Sequence, residues 1–195
     1  IETGQHQFYR LRISDKKTER ITTMTGGNEV TISPDEKTIA ILYSYTNKPW
    51  ELYTQENKPG GKLQQITNLA ASEEFKSYAW RDPQIITFAA RDGAMVYGRV
   101  YQPEHPDIHK PAVIFVHVAG YLQNIDKWWT YYFREFMFNN MLADKGYYVM
   151  DVDYRGSAGY GRDWRTGIYR NMGGKDLTDN IDAAAYLVKN FGVDP

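Results

Sequence analysis

Hydrophobic periodicity changes partway along this 195-residue chain. The first half carries short runs rich in β-branched and aromatic residues, namely FYRLRI (8–13), NEVTI (28–32), TIAILYSY (38–45) and WELYT (50–54). Polar turn sequences such as SDKK, TGGN, SPDEK and NKPGG separate these runs. Short strands punctuated by turns predict antiparallel β structure for residues 1–90.

A weak internal repeat suggests how these strands are organised. The sequence ERIT (19–22) recurs in altered form as QQIT (64–67), and residues 77–90 resemble residues 30–43. A spacing of about 40 to 50 residues with four short strands is typical of a β-propeller blade. The repeat covers fewer than two units, so an ordinary antiparallel sheet is the alternative interpretation.

The second half follows a different pattern. Residues 94–103 predict a strand closed by a proline, and the continuous apolar run at 111–117 predicts a strand buried on both faces of a parallel sheet. A helix is expected at 128–146, a second buried strand at 147–153 and a second helix at 176–192. Alternating strands and helices indicate an α/β fold with a parallel sheet.

Each predicted helix carries an apolar stripe that should face the sheet. The first stripe contains Trp129, Phe133, Phe136, Met137 and Met141, interrupted by Asn140, and the second contains Leu177, Ile181, Ala184, Ala185 and Val188. The aromatic residues of the first stripe are expected in a core or a domain interface, which is their usual place when they recur at helical spacing.

Composition excludes several classes of function. The net charge of −1 argues against a nucleic-acid partner, and no apolar stretch is long enough to span a membrane. The absence of cysteine excludes disulfides, thiolate metal sites and a cysteine nucleophile. We expect no metal and no cofactor. The sequence begins at Ile1 without a signal-peptide pattern, and we expect it to be an internal piece of a longer protein.

Ser157 is the first candidate nucleophile, because it follows a predicted strand in DYRGSAGYG (153–161). A nucleophile elbow needs glycine two residues before and two residues after the serine, where the sharp turn leaves no room for side chains. Gly159 meets this requirement, but Arg155 occupies the other position. We therefore interpret this segment as a glycine-rich loop that leaves a strand.

Other titratable side chains receive structural interpretations. His6, His105 and His109 are predicted to be solvated, as lone histidines outside regular structure usually are. Pro106 argues against a helix that could pair the last two as metal ligands. Asp151 and Asp153 alternate at the end of a strand and are interpreted as polar residues at the rim of the sheet.

Arg155 is expected to brace the loop after the strand at 147–153, because its planar guanidinium suits carbonyls or a carboxylate. His117 follows a buried strand at the carboxyl edge, where ligands bind in open α/β sheets. For His117, a functional role and a packing role remain equally open on the residues alone.

Four segments taken in order resemble one family. TISPDEKTIA is similar to a propeller blade motif, and ARDGAMVYGRVYQP is similar to the strand that enters a hydrolase domain. PAVIFVHVAG resembles a strand and active-site loop of the His-Gly-Gly-Pro type, and DYRGSAGYGRDWR with GGKDLTDNIDAAAYLV resembles the strand, loop and helix before a nucleophile. Together they resemble the prolyl oligopeptidase family of serine peptidases, on its dipeptidyl peptidase IV and acylaminoacyl peptidase side.

The resemblance implies a mixed fold, with the end of a β-propeller at 1–90 and the N-terminal part of an α/β-hydrolase domain at 91–195. It implies a Ser-Asp-His triad and no metal, with all three triad residues beyond Pro195. His117 and Val118 match the loop that borders the oxyanion hole. Family members usually have glycine where this sequence has Val118, and a side chain there bears on how closely a substrate can approach. Gly120 also replaces the usual proline.

The resemblance implies a serine exopeptidase whose activity belongs to the full-length protein and acts on short peptides. An acyl hydrolase or esterase of the same fold, or a propeller and partial hydrolase that act only as a binding scaffold, are the alternatives. A peptide substrate is the expected partner, a homo-oligomer of the full-length protein is possible, and export or a periplasmic location is expected from the family.

Overall fold

The computed structural model of the chain describes residues 4–117 and 122–195. These residues form two compact units. The unit named here the β-unit runs up to Trp80 and includes Asp126–Tyr131, and the unit named the mixed unit comprises Arg81–Ile125 and Tyr132–Pro195. The two units are described separately.

The β-unit is antiparallel throughout, as the turn-punctuated pattern predicted. It contains β1 (Tyr9–Leu11), β2 (Thr18–Arg20), β3 (Gly27–Ile32), β4 (Thr38–Tyr45), β5 (Lys48–Glu56), β6 (Leu63–Gln65) and a short helix α1 (Glu73–Ser77). β1 pairs with β2, and β3 to β6 form a four-stranded sheet in sequential order. Ile21, Ile39 and Ile41 are fully buried and form the core of this unit.

The mixed unit contains a four-stranded sheet with helices. Its strands are β7 (Gln84–Ala89), β8 (Met95–Tyr101), β9 (Ala112–Phe115) and β10 (Tyr148–Asp153), and its helices are α2 (Phe133–Asp144), α3 (Arg162–Arg165) and α4 (Lys175–Phe191). The strand order is β7-β8-β10-β9. β9 and β10 are parallel, as predicted, whereas β7, β8 and β10 pair antiparallel.

The sequence places a domain boundary between residues 90 and 91, and that assignment stays a prediction. In the structure the units divide at Trp80 and Arg81, because Gln84–Ala89 already pairs with β8. The core of the mixed unit includes Phe88 from β7 and Val96 from β8, together with Met150 from β10. The antiparallel hairpin β7–β8 is thus part of the same core as the parallel pair.

Helix α2 begins at Phe133, five residues after the predicted start. Trp128–Thr130 are not helical, and Trp129 belongs to the β-unit. The Trp129 backbone amide donates to Ser44 Oγ at 3.0 Å, and Trp50 Nε1 donates to the Trp129 carbonyl at 3.0 Å. The second bond occupies the Trp129 carbonyl, an acceptor that a helix starting at residue 128 would need for its first turn.

The buried faces of both helices differ from the predicted apolar stripes. Helix α2 buries Phe136, Asn139, Asn140 and Ala143, and α4 buries Asp179, Ala183 and Leu187. Most of the stripe predicted for α4 is instead open to solvent, with Leu177 54% and Ile181 49% exposed, and of its members only Val188 packs against the core. Polar residues take the inner positions because each has a buried partner that offsets the cost of removing it from water.

A buried ion pair formed by Asp179 determines which face of α4 points inwards. The Asp179 carboxylate is 0% exposed and accepts from Arg155 Nη2 at 2.5 Å, from Arg155 Nε and from the Arg155 backbone amide. The Arg155 guanidinium also reaches Asp92, and this bond lowers the pKa of Asp92 to about 2. Arg155 is therefore the brace that the sequence predicted, with carboxylates as its partners.

The first prediction concerns this buried pair. Asp179→Asn leaves the Arg155 guanidinium without its buried counter-charge, and we expect it to lower the free energy of unfolding by about 3 kcal/mol. The matched control is Asp182→Asn, three residues along α4, whose partner Arg91 is 53% exposed. That substitution should cost less than about 1 kcal/mol. Urea unfolding of both variants measures the difference, and equal losses would contradict the assignment.

Candidate active-site region

His117 and Asp153 lie next to each other at one edge of the mixed sheet. In the parallel pair, Phe115 of β9 is aligned with Asp151 of β10. Two residues further along each strand, the chain reaches His117 and Asp153. Because parallel strands end at the same edge, these two side chains meet at the carboxyl edge of the sheet. Both are buried, His117 at 2% and Asp153 at 0% exposure.

Ser157 completes a buried polar cluster with these two residues. His117 Nε2 lies 3.3 Å from Asp153 Oδ1 and 3.1 Å from Ser157 Oγ. Ser157 Oγ in turn donates to the carbonyl of Tyr154 at 2.7 Å. The Ser157 hydroxyl uses its single proton in the bond to the Tyr154 carbonyl. We therefore assign a proton to His117 Nε2, which faces Ser157 Oγ and Asp153 Oδ1.

The cluster contains serine, histidine and aspartate but does not have the geometry of a catalytic triad. In a triad, one ring nitrogen faces the nucleophile and the other faces the acid. Here Ser157 and Asp153 both face Nε2. Ser157 is also 0% exposed, so a substrate carbonyl has no access to its hydroxyl. That Ser157 is not a nucleophile stays a prediction.

The Asp153 carboxylate also collects donors from two further segments. It accepts from the backbone amide of Asn124 at 2.8 Å, from that of Ile125 at 3.1 Å and from the Tyr160 hydroxyl at 2.7 Å. Together with His117, these donors offset the cost of burying the charge.

Tyr154 fixes His117 from a second direction. Its hydroxyl donates to the His117 carbonyl, and its ring stacks on the imidazole at a centroid distance of 4.6 Å. Burial raises the pKa of Tyr154 to about 12, with further contributions from Tyr132 and the carboxylates of Asp176 and Asp153. The phenol therefore stays protonated as a donor over the whole neutral range.

Asp151 forms a separate buried network two residues earlier on β10. Arg99 Nη2 and Nε lie 2.8 and 3.0 Å from Asp151 Oδ2, and Asn139 Nδ2 donates to Oδ1 at 2.9 Å. Burial raises the pKa of Asp151, and the positive charge of Arg99 opposes this. Asp151 and Asp153 are therefore buried rather than solvated as rim residues would be, although Asp153 does lie at the carboxyl end of its strand.

The other candidates from the sequence do not join this cluster. Val118 lies outside the described residues. His6 stacks on Trp128 at 4.1 Å within the β-unit, and His105 and His109 are exposed in the segment before β9. Among residues 4–117 and 122–195, no three His, Asp or Glu side chains could hold a metal ion. No helix in the described parts of the chain could cross a membrane.

Sequence analysis did not predict that His117, Asp153 and Ser157 would meet. The sequence signal that could have shown this meeting was the alignment of the ends of β9 and β10. A parallel pair places the residues that follow its two strands side by side. Ser157 required one more feature. Gly156 has φ +111°, and a Cβ there would lie 2.7 Å from Ile168. Glycine at this position therefore permits the tight turn that brings the Ser157 side chain into contact with His117.

The second prediction concerns the Tyr154 hydroxyl. Tyr154→Phe removes its bond to the His117 carbonyl and should lower the free energy of unfolding at pH 7 by about 1 kcal/mol. In the native protein, stability linked to the raised pKa of Tyr154 is present below pH 10 and is lost as the pH rises through about 12.

Tyr154→Phe lacks this titration, so the difference in unfolding free energy between wild type and Tyr154→Phe should shrink between pH 10 and 12. Urea unfolding at several pH values measures the change. The control is Tyr131→Phe, because Tyr131 is 90% exposed and should not alter stability at neutral pH. A deficit that stays constant up to pH 12 would contradict the role of Tyr154.

Comparison with known proteins places this region in a family. The family model described as the prolyl oligopeptidase family matches residues 132–195. The uncharacterized peptidase YuxL of Bacillus subtilis is 30% identical over 169 residues, which is 83% of this chain and 23% of that protein. Dipeptidyl aminopeptidase BIII of Pseudoxanthomonas mexicana is 26% identical over 163 residues, or 80% of this chain and 22% of that protein.

Solved structures share the fold. Dipeptidyl peptidase 4 of Porphyromonas gingivalis superposes with a TM-score of 0.80 at 21% identity, covering 97% of this chain and 27% of that chain. A puromycin-hydrolyzing peptidase of Mycobacterium tuberculosis gives a TM-score of 0.74 at 19% identity, covering 98% of this chain and 29% of that chain. The chain spans about a quarter of the length of the curated relatives that it matches. On the family-model match and the sequence relatives, the chain belongs to the prolyl oligopeptidase family.

Proposed function

We propose that this chain is part of a serine exopeptidase that releases dipeptides or acylated amino acids from short peptides. The observation that carries the proposal is the parallel pair β9–β10, whose carboxyl edge brings His117 beside the loop after β10. Relatives named as dipeptidyl peptidases and an acylamino-acid-releasing enzyme support this substrate class. The reaction would proceed through an acyl-enzyme formed on a serine outside residues 1–195.

The two parts of the chain would have different roles in this enzyme. We assign the β-unit to the end of a β-propeller and the mixed unit to the N-terminal part of an α/β-hydrolase domain. The four-stranded antiparallel sheet β3–β6 supports the first assignment, since one propeller blade has four strands. The parallel pair β9–β10, connected through α2, supports the second.

His117 and Val118 would border the oxyanion hole of this enzyme. Acyl transfer passes through a tetrahedral intermediate, and donors that are already oriented towards its oxygen stabilise it without reorganisation. In the described structure His117 Nε2 faces Asp153 and Ser157. The His117 side chain would therefore act mainly by holding the strand end in place, while donors near it contact the oxyanion.

The third prediction tests His117 in the full-length protein. His117→Ala should lower kcat more than it raises KM and should raise the barrier by about 1 to 3 kcal/mol. Steady-state hydrolysis of dipeptidyl p-nitroanilides measures both constants. An unchanged kcat would leave His117 with a packing role only.

The fourth prediction locates the nucleophile. A fluorophosphonate forms a covalent bond with an activated serine and should label the full-length protein at a serine beyond Pro195, within a G-x-S-x-G sequence. Residues 1–195 alone should show neither labelling nor hydrolysis. The matched variant is Ser157→Ala, which should retain the label in the full-length protein.

Each other outcome has a defined meaning. Labelling of Ser157 itself would overturn the assignment of the nucleophile. Hydrolysis of esters without hydrolysis of peptides would favour an acyl hydrolase of the same fold. A full-length protein that takes no label and has no G-x-S-x-G sequence would favour a binding scaffold.

A further inference from the structure

We propose that Asp153 and Ser157 are positioning residues for this reaction, acting through His117. They fix the imidazole and the backbone on both sides of residues 118–121. The inference rests on the proposed function, because it concerns the same edge of the sheet. Neither residue touches a reacting atom, so neither is a catalytic residue.

The Asp153 carboxylate joins two stretches of chain that flank residues 118–121. On one side it contacts His117 Nε2 at 3.3 Å, and on the other it accepts from the backbone amides of Asn124 and Ile125. A buried carboxylate is costly to leave without its donors, so these contacts tend to form or break together. A single charge therefore determines where both flanking stretches lie.

Ser157 closes a ring of hydrogen bonds around His117. Its Oγ contacts Nε2 at 3.1 Å and donates to the Tyr154 carbonyl, while the Tyr154 hydroxyl donates to the His117 carbonyl. This closed set of hydrogen bonds fixes both the side chain and the backbone of His117. The phenol of Tyr154, which stacks on the imidazole, restricts its rotation. An orientation held by several groups at once is the preorganisation that oxyanion stabilisation requires.

Asp151 shows that burial alone does not create this arrangement. It lies on the same strand and is 1% exposed, but its oxygens contact Arg99, Asn139 and Tyr101 rather than His117. Its network stabilises the interior of the mixed unit. Arg99 Nη2 also reaches the Asn124 side chain at 3.3 Å, but of these two carboxylates it is Asp153 that accepts from the backbone amides of Asn124 and Ile125.

The fifth prediction compares variants in the full-length protein. Asp153→Asn keeps the size of the side chain but turns an N–H group towards donors, and Ser157→Ala removes the hydroxyl. We expect each to lower kcat about tenfold, below the loss from removing a direct oxyanion donor, with KM changed by less than about threefold. In a His117→Ala background, Ser157→Ala should add less than about a twofold loss, because its effect passes through the imidazole.

Two control variants separate positioning from stability. Ser44→Ala removes another serine that is 0% exposed, in the β-unit, and Asn139→Ala removes a partner of Asp151. Both should reduce stability while leaving kcat within about twofold. The positioning proposal is overturned if Asp153→Asn and Ser157→Ala keep the wild-type kcat, or if the two controls lower kcat equally.

A second measurement does not depend on activity. Hydrogen exchange of the backbone amides of Asn124 and Ile125 should become at least about tenfold faster in Asp153→Asn, because their acceptor is altered, and should be unchanged in Asn139→Ala. Unchanged exchange in Asp153→Asn would overturn the positioning proposal. A wild-type protein that takes no fluorophosphonate label would instead overturn the proposed function, and the exchange rates would still decide whether Asp153 holds this segment.

Discussion

The mixed unit depends on the burial of three carboxylates, Asp151, Asp153 and Asp179. A carboxylate taken out of water must find donors or a counter-charge, and the cost of failing to do so exceeds that of most misplaced apolar groups. Asp151 obtains Arg99 from β8, Asp153 obtains His117 from the end of β9, and Asp179 obtains Arg155 from the loop after β10. These pairings select which elements meet and in which register.

The same requirement shapes the candidate site. Apolar packing is tolerant of small shifts, whereas hydrogen bonds to a buried charge weaken steeply with distance and angle. Asp153 and Ser157 therefore restrict the orientation of the His117 imidazole more than a purely apolar environment would. In the proposed reaction these two residues would not contact the reacting atoms, and support from such residues is a common way to keep a reacting geometry fixed.

Helix α4 illustrates how a buried ion pair can outweigh an apolar stripe in deciding which face of a helix is buried. Its most regular apolar stripe contains Leu177 and Ile181, yet both are half-exposed in the described structure. The helix instead turns Asp179, Ala183 and Leu187 inwards, at a spacing of four residues. The small Ala183 permits a close approach, and the Asp179 carboxylate accepts from both the side chain and the backbone amide of Arg155.

Local patterns in the sequence were sufficient to determine the order of most elements. The turn-punctuated runs predicted β3, β4 and β5, and the apolar runs predicted β9 and β10, because periodicity and turn residues act over a few positions. The segments around DYRGS were also sufficient to indicate the family. Tertiary structure alone decided which faces are buried and that His117, Asp153 and Ser157 form one cluster. Those outcomes depend on hydrogen bonds and charge pairs between residues 24 to 52 positions apart, which no local pattern contains.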